Sequence, residues 1–314
     1  MEITLGSLFS GLGGIDLAFA QAGCRVLWAV EWDSACCKTY RHNFHDTRVF
    51  ESDIRHVDPI RLQRIDILSA GFPCQSFSVA GKQQGFLDPR GHMFYEVGRF
   101  IATLSPRFVF LENVPNLMEH DNGKSFLVVH NVLSDLNYSI RYRVLRASEY
   151  GGLPQIRDRI YIIAFREQED CDRFCFPERI PLDKTIDSII HREIKQKDLY
   201  YYNKEDPFYA KAVQIVNRKD SVYRVYHDSI KITQNKMCPT LTASMRTQRN
   251  QIPLIKDDYG IRKLTVRECL DFQGFPDSYY FPRTISINDA YKQIGNTVCV
   301  PVVKRIAAQI IHLL

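Results

Sequence analysis

Apolar and polar positions along the first 165 residues recur with two different periods. Short runs rich in β-branched and aromatic residues predict strands, and between them apolar residues recur every three or four positions, as on one face of a helix. Strands that alternate with helices are typical of a mostly parallel sheet covered on both faces. The predicted strands are Ile3–Phe9, Arg25–Val30, Ile65–Ala70, Phe108–Leu111 and Arg159–Phe165, and the predicted helices are Ile15–Ala22, Ser34–Asn43, Met93–Leu104 and Lys124–Leu136.

The regular alternation stops after Phe165 and returns only near the end of the chain. The stretch that follows has mixed charge, includes Pro177 and Pro181, and has no regular period, which indicates a second, smaller domain. Asp289–Leu314 predicts a loop and one amphipathic helix. The expected fold class is therefore α/β, with one domain at residues 1–165 plus 284–314 and a smaller domain at residues 166–283.

The composition indicates a globular protein with an ordinary core. The chain has 314 residues, 45% of them hydrophobic and 25% charged, which excludes a disordered, collagen-like or coiled-coil protein. Met1–Thr4 has no apolar run and predicts no signal peptide, and Val298–Leu314 is interrupted by Lys304 and Arg305 and is too short to span a bilayer. Nine cysteines without C-x-x-C spacing indicate reduced thiols, a cytoplasmic protein and no metal site.

Positive charge is concentrated in one segment, His191–Lys256. It has 13 lysines and arginines against 6 acidic residues, whereas the whole chain has a net charge of +5. Such a run more often forms a solvated surface. Because this segment also has six tyrosines, it could instead bind a polyanion through phosphate contacts.

A glycine-rich turn, Phe9–Gly14, follows the first predicted strand. Its G-x-G-G spacing lets a ligand approach bare backbone at a helix N-terminus, but it differs from the G-x-G-x-x-G of dinucleotide-binding proteins. Glu31 follows the second predicted strand, where it could accept hydrogen bonds from a ribose, and Asp53–Ile54 could bind an adenine. Either acid could instead be a helix cap.

The strongest local motif is Gly71–Ser78, which directly follows the predicted strand Ile65–Ala70. Cys74 would lie beyond the carboxyl end of that strand, where open α/β sheets bind ligands, and its thiol is a candidate nucleophile. Most cysteines are small buried hydrophobes, but Cys74 has glycine, proline and polar neighbours, as in a loop.

Charged residues lie directly after the predicted strand Phe108–Leu111 and at the start of the predicted strand Arg159–Phe165. Glu112 comes directly after Phe108–Leu111, at the same expected edge of the sheet, where it could donate a proton. Arg157 and Arg159 are two residues apart, so an extended strand would place them on one face. They could bind a phosphate, a base or a carboxylate, or pair with Asp158 or another surface acid.

Taken in order, these motifs resemble those of the DNA (cytosine-5) methyltransferases, in particular the short bacterial enzymes of restriction–modification systems. The resemblance covers nearly the whole chain, except about residues 170–235. The matching motifs are Phe9–Gly14, Glu31–Trp32, Asp53–Ile54, Gly71–Gln75, Asp88–Gly91, Glu112–Val114, Gln155 with Arg157 and Arg159, Arg262–Glu268 and Gln293–Val298.

The resemblance implies a Rossmann-like methyltransferase fold that binds S-adenosylmethionine and releases S-adenosylhomocysteine. Glu31 would bind the ribose, Trp32 and Ile54 would contact the adenine, and Asp53 would accept a hydrogen bond from its amino group. The other residues expected at the cofactor are Phe9, Gly11, Leu12, Gly13, Gly14, Pro73, Asn296, Thr297 and Val298.

The resemblance also implies a catalytic set and a DNA-binding set. Cys74 would attack carbon 6 of a cytosine swung out of the duplex, and Glu112 would hydrogen-bond the ring nitrogen and the exocyclic amine. Arg157 would help to orient the ring and Glu112, and Arg159 belongs to the same catalytic set. The residues expected to contact DNA are Gln75, Ser78, Arg90, Thr240, Leu241, Arg246 and Arg249, of which the last two could bind either guanine edges or phosphates.

The expected protein is a monomeric DNA (cytosine-5-)-methyltransferase with a smaller target-recognition domain. It would act on double-stranded DNA in the cytoplasm of a bacterium, or be encoded by a phage, without a metal or a membrane. A cognate restriction endonuclease could act separately from it.

Four alternatives are weighed against this expectation. Transfer-RNA cytosine methyltransferases of the same fold typically depart from the wording of Gly71–Ser78, and a DNA-binding regulator without catalysis would be expected to lose Cys74, Glu112 or one of the two arginines. The glycine spacing disfavours an NAD-dependent oxidoreductase. Methylation of an amino group would need the motif D/N-P-P-Y/F, and Asp206–Tyr209 lacks the second proline.

Overall fold

The computed structural model of the chain describes residues 2–73, 93–226, 229–246 and 251–314. The chain divides into two compact units. Unit 1 consists of Met1–Leu145, Asp158–Glu178 and Val302–Leu314, and unit 2 consists of Arg146–Arg157 and Arg179–Pro301.

Unit 1 is built on a seven-stranded sheet with the strand order β3-β2-β1-β4-β5-β7-β6. The pairs among β1 to β5 are parallel and β5–β7 is antiparallel, which confirms the predicted α/β class and its mostly parallel sheet. The strands are β1 (Thr4–Leu8), β2 (Arg25–Glu31), β3 (Arg48–Glu51), β4 (Ile67–Ala70), β5 (Phe108–Asn113), β6 (Ser139–Arg146) and β7 (Asp158–Phe165).

Helices cover this sheet because each presents an apolar stripe to it. The apolar positions of α3, such as Phe94, Val97 and Ile101, recur at helical spacing and are buried. Asp33 begins α2 by accepting hydrogen bonds from the amides of Ala35 and Cys36. The helices of unit 1 in this part of the chain are α1 (Gly14–Gln21), α2 (Ser34–Asn43), α3 (Met93–Leu104), α4 (Lys124–Asp135) and α6 (Gln168–Arg173), whereas α5 (Ala147–Tyr150) lies in unit 2.

Unit 2 contains a four-stranded sheet of order β11-β10-β8-β9, in which β8–β9, β8–β10 and β10–β11 pair antiparallel. Tyr223, Val225, Ile230 and Leu254 form part of a separate small core there. The elements are α7 (Pro207–Ile215), β8 (Tyr223–Tyr226), β9 (Ser229–Ile232), β10 (Leu254–Lys256), β11 (Ile261–Lys263), α8 (Val266–Gln273), α9 (Ile287–Asn296) and α10 (Val300–Ile311), of which α10 continues into unit 1.

The structure differs from the sequence-based prediction at both edges of the large sheet and at the C-terminus. The edge strand β6 was not predicted, and β3 was expected only in that Asp53 was placed where a third strand would end. Both strands are largely exposed or half-buried, so neither has the buried run that marks a central strand. Asp289–Leu314 was expected to hold one helix and holds most of two, because the chain breaks between Asn296 and Val300.

The boundaries of the two units also differ from those predicted for the domains. Arg146–Arg157 falls in unit 2 because its last residues form backbone hydrogen bonds there: Ile156 N donates to Cys238 O at 2.8 Å, and Cys238 N donates to Pro154 O at 2.7 Å. The residues from Thr284 to Pro301 fall in unit 2 as well.

Within the described part of the chain, no single helix is both long and apolar enough to cross a membrane. The helices α9 and α10 reach the required length and apolar composition only when they are counted together, and a bend of 42° separates them.

Candidate active site

A cavity of about 230 Å³ lies in unit 1 beyond the carboxyl ends of β1 to β4. This edge of an open parallel sheet is where α/β proteins bind ligands. Six of the ten lining residues were expected at the cofactor, namely Phe9, Glu31, Trp32, Asp53, Ile54 and Pro73. The lining residues that sequence reasoning missed are Val30, Ser52, Arg55 and Met93.

The glycine-rich turn that borders the cavity needs unusual backbone angles. Phe9 (φ 53°), Gly11 (φ 56°) and Gly13 (φ 86°) all adopt positive φ between the end of β1 and the start of α1. A Cβ atom on Gly13 would lie 2.4 Å from the ring of Phe44. A larger residue at this position would therefore clash with Phe44 and would also strain the backbone, because φ is positive. The turn therefore places bare backbone next to the cavity.

Glu31 at the end of β2 holds this turn in place. Its Oε2 accepts a hydrogen bond from Gly11 N at 2.8 Å, and its Oε1 accepts from Trp32 N and Asp33 N, both at 2.9 Å. Burial raises the pKa of Glu31, and the three amide donors oppose that shift. A carboxylate held in this way is oriented to accept hydrogen bonds from a ligand in the cavity.

The other end of the cavity combines an apolar and an acidic wall. Ile54 is buried, whereas the Trp32 side chain is 74% exposed and free to lie against a planar ligand. Asp53 is held by Arg55, whose Nε and Nη2 donate to Oδ1 at 3.0 Å and to Oδ2 at 2.6 Å. The Arg55 hydrogen bonds lower the pKa of Asp53 to about 2, so this carboxylate is ionised at neutral pH.

Glu112, the candidate acid, lies near the end of β5 and is mostly buried. Arg159 Nε contacts Glu112 Oε1 at 2.9 Å. The next residue, Asn113, donates from Nδ2 to the carbonyl of Phe72 at 2.9 Å. This bond joins the end of β5 to the described segment that follows β4, at a residue two positions before Cys74 in the sequence.

Arg157 has partners in a different part of the chain from Arg159. It is 2% exposed and donates to the carbonyls of Leu241 at 2.7 Å, Gly295 at 3.3 Å and Thr297. Arg159, which the sequence placed in the catalytic set, forms the ion pair with Glu112 described above. The orienting role expected of Arg157 stays a prediction. β7 begins at Asp158, so Arg157 precedes the strand and Arg159 lies within it.

Unit 2 contains the described part of the predicted DNA-binding set and the C-terminal cofactor residues. Thr240 and Leu241 lie just before the 3-10 turn Ala243–Arg246, and Asn296, Thr297 and Val298 lie at the end of α9 and just beyond it. The remaining predictions fall outside the described residues: Cys74, Gln75, Ser78, Arg90, Arg249 and the side chain of Arg246.

Among the residues that the structure describes, no three His, Cys, Asp or Glu side chains are grouped so that they could hold a metal ion.

Comparison with known proteins shows the family. The family described as C-5 cytosine-specific DNA methylase matches residues 3–312. The chain is 41% identical over 311 residues to the Type II methyltransferase M.Bsp6I of Bacillus sp. (strain RFL6), covering 98% of each protein. It is 37% identical over 314 residues to the Type II methyltransferase M.HhaI of Haemophilus parahaemolyticus, covering 96% of this chain and 92% of that protein.

Solved structures share the fold. A crystal structure of a mutant of Spodoptera frugiperda DNMT2 superposes with a TM-score of 0.76 at 20% identity, over 99% of this chain and 100% of that one. A crystal structure of a putative DNA modification methyltransferase encoded within an E. coli prophage gives a TM-score of 0.73 at 23% identity, over 99% of both chains.

The chain belongs to the C-5 cytosine-specific DNA methylases. It is a DNA (cytosine-5-)-methyltransferase of the type II restriction–modification kind, and methyl transfer in this family depends on S-adenosylmethionine.

Proposed function

We propose that this enzyme transfers a methyl group from S-adenosylmethionine to carbon 5 of a cytosine flipped out of duplex DNA, through a covalent bond to Cys74. We further propose that the methylation protects DNA from a restriction endonuclease that acts separately. The observation that carries the proposal is the Glu112–Arg159 ion pair, together with the Asn113 bond to the backbone that leads to Cys74.

The proposed covalent bond explains how carbon 5 of cytosine can accept a methyl group. Carbon 5 of cytosine is a poor nucleophile, and it becomes enamine-like when a thiolate adds to carbon 6 and the displaced electron pair moves onto the ring. We assign to Glu112 the support of that charge by a hydrogen bond at the ring nitrogen, and to Arg159, its ion-pair partner, the orientation of the carboxyl group. Bound S-adenosylmethionine supplies the methyl group that carbon 5 accepts. Loss of the carbon-5 proton then returns an electron pair to the ring and expels the Cys74 thiolate.

The cavity of unit 1 fits the adenosine part of this cofactor. The Glu31 carboxylate suits ribose hydroxyls, Asp53 suits the adenine amino group, and Ile54 with Trp32 offers apolar surface for the adenine ring. On the sequence motifs, we also propose cofactor contacts for the turn residues Gly11, Leu12, Gly13 and Gly14 and for Asn296, Thr297 and Val298.

Duplex DNA is the proposed substrate because the target carbon lies inside the stack and base flipping makes it accessible. The basic segment His191–Lys256 supports this, since its excess positive charge and tyrosines suit phosphates and bases. We assign unit 2 to target recognition, with Thr240 and Leu241 near the flipped nucleotide. Gln75, Ser78 and Arg90 are proposed for the loop that closes on DNA, and Arg246 and Arg249 for guanine edges or phosphates.

We propose a monomer that acts in the cytoplasm of a bacterium. The intact G-F-P-C-Q-S-F-S motif also favours DNA over transfer RNA as the substrate.

The test is bisulfite sequencing of plasmid DNA from a methylation-deficient bacterial host that expresses the chain, beside the Cys74→Ala variant. Methylated cytosines in one short motif, absent with the variant, would support the reaction and the nucleophile and reveal the target sequence. No methylation by a folded protein that binds S-adenosylmethionine would refute the DNA substrate, and assays on transfer RNA would follow.

A further inference from the structure

The side chain of Arg157 joins two segments of unit 2 that are far apart in sequence. Its Nη1 donates to the carbonyl of Leu241 at 2.7 Å, and its Nη2 donates to the carbonyls of Gly295, at 3.3 Å, and Thr297. The guanidinium is a rigid planar fork, so one side chain fixes the distance between the two segments.

The C-terminal end of α9 is a favourable place for this buried cation. The last carbonyls of a helix have no partner within the helix and carry partial negative charge. Gly295 lies in the last turn of α9 and Thr297 directly follows it, so their carbonyls stabilise the guanidinium in an environment where only 2% of Arg157 is exposed. Leaving the fork unbonded there would be costly, which favours keeping both segments in place.

Two further contacts hold the same segments closely together. Thr240 Oγ1 donates to the carbonyl of Ile156, the residue before Arg157. Gly295 approaches Thr242 so closely that a Cβ on Gly295 would lie 2.1 Å from the Thr242 carbonyl carbon. The segments therefore pack backbone against backbone, and a displacement of one must be accommodated by the other.

We propose that Arg157 is a positioning residue that couples DNA binding to cofactor binding. The inference rests on the function proposed above, which assigns Thr240–Arg246 to DNA and Asn296–Val298 to the cofactor. When one ligand orders its segment, the Arg157 hydrogen bonds order the other segment as well. Each ligand then binds more tightly in the presence of the other, and by linkage the two effects are equal in size.

The test compares the Arg157→Lys variant with the wild type. Lysine keeps the charge, but its single ammonium replaces the planar fork and cannot hold three carbonyls of two segments in the same way. The dissociation constant of S-adenosylhomocysteine is measured with and without a short duplex that contains the target site. We expect the duplex to tighten binding about fivefold or more in the wild type and less than about twofold in the variant.

Arg267→Lys is the matched control. Arg267 lies in α8 of the same unit and also donates to three carbonyls, those of Phe275, Pro276 and Tyr279, none of which belongs to the two segments. This variant is expected to keep the wild-type ratio of dissociation constants. A wild-type ratio in Arg157→Lys, an equal loss in Arg267→Lys, or no coupling in the wild type would overturn the inference. The bisulfite experiment tests the proposed function separately.

A second measurement keeps the inference testable if Arg157→Lys does not fold. Hydrogen exchange of the wild type is followed with S-adenosylhomocysteine and without DNA. Slower exchange of the amides in Thr240–Arg246 is expected, because the cofactor would order that segment through Arg157. Unchanged exchange there, at a saturating concentration of S-adenosylhomocysteine, would overturn the inference.

Discussion

Glu112 and Arg159 form an ion pair of 2.9 Å between Oε1 and Nε across the antiparallel strands β5 and β7. The residue directly opposite Glu112 is Tyr161, so Arg159 is its diagonal neighbour on the same face of the sheet. Both side chains are largely buried, with 10% of Glu112 and 13% of Arg159 exposed. The sheet register thus holds the candidate acid by a buried contact near the end of β5.

Replacing Glu112 with Gln should abolish most of the activity while leaving cofactor binding nearly intact. Glutamine keeps the shape but cannot donate the proton or carry the charge, so kcat should fall about 10²- to 10⁴-fold. The measurement is single-turnover methylation of duplex DNA, with the dissociation constant of S-adenosylhomocysteine as the control for folding. A kcat within a few-fold of the wild type would contradict the role of Glu112.

Replacing Gly13 with Ala should weaken cofactor binding specifically. The added Cβ meets the Phe44 ring at 2.4 Å in a backbone with φ 86°, so the turn beside the cavity must shift. We expect the dissociation constant of S-adenosylmethionine to rise at least about tenfold, or about 1.4 kcal/mol, by isothermal titration. Gly23→Ala is the control: its φ is also positive, at 107°, but nothing lies within 4 Å of the new Cβ.

Gly23→Ala should therefore cost stability through backbone strain, about 1–2 kcal/mol, without changing the affinity for the cofactor. Equal effects of both variants on cofactor affinity would argue that the loop geometry at Gly13 has no special role.

Deprotonation of Asp16 should lower the stability of the protein as the pH rises. It is fully buried beneath the glycine-rich turn, accepts a hydrogen bond from Tyr40 Oη at 2.6 Å, and faces the hydroxyls of Ser7 and Ser69. Burial raises its pKa from 3.8 to about 6, and these hydroxyls partly oppose the shift. The folded state therefore holds a proton that the unfolded state releases, so its contribution falls by about 3 kcal/mol as the pH rises through this range.

The measurement is the melting temperature of the wild type and of Asp16→Asn between about pH 4 and about pH 7. The wild type should lose stability relative to the variant as the pH rises, with most of the change complete just above pH 6. Tyr40→Phe removes the hydroxyl that favours the ionised form, so it should move the transition to higher pH. A difference that is independent of pH would contradict the assignment.

Arg262 should be among the costliest residues of unit 2 to replace. Its guanidinium is fully buried and donates to Asp257 Oδ2 at 2.8 Å and to both oxygens of Glu268 at 2.7 and 2.8 Å. Arg262→Met leaves two carboxylates buried without their partner, which should cost about 3–5 kcal/mol by chemical denaturation. The exposed pair Arg218–Asp220 is the control, since Arg218→Met should change the unfolding free energy by less than about 1 kcal/mol.

The helices were predictable where local signals decide the structure. The predicted ranges Ser34–Asn43 and Met93–Leu104 match α2 and α3 to the residue. Asp33 caps the start of α2, and the apolar residues of α3 recur at helical spacing because they form its buried face. Edge strands such as β3 lack that signal, since both ends of Arg48–Glu51 are exposed. The helix α9 was also missed: the sequence predicted a loop and one helix over Asp289–Leu314, and the chain forms most of α9 before the break that separates it from α10.

The cavity was largely predictable, and the described contacts of the two arginines were not. Sequence motifs place Glu31 and Asp53 at the ends of successive strands, which is sufficient to bring them to one edge of the sheet. The carbonyls to which Arg157 donates lie 84 to 140 residues away in sequence. Every residue has a backbone carbonyl, so the motif around Arg157 cannot indicate which ones it contacts. Arg55 was missed although it is only two residues from Asp53, because its contact depends on the 3-10 turn that follows.

The covalent bond between Cys74 and cytosine is the central claim, and a trapped complex tests it most directly. In a duplex whose target cytosine has fluorine at carbon 5, no proton can leave that carbon after methyl transfer, so the enzyme should stay bonded to carbon 6. With S-adenosylmethionine present, mass spectrometry of the digested complex should find the modified nucleotide on the tryptic peptide Ile65–Lys82, which contains Cys74 as its sole cysteine. A preparation that methylates the unmodified duplex but forms no complex, or attaches it to another peptide, would contradict the account.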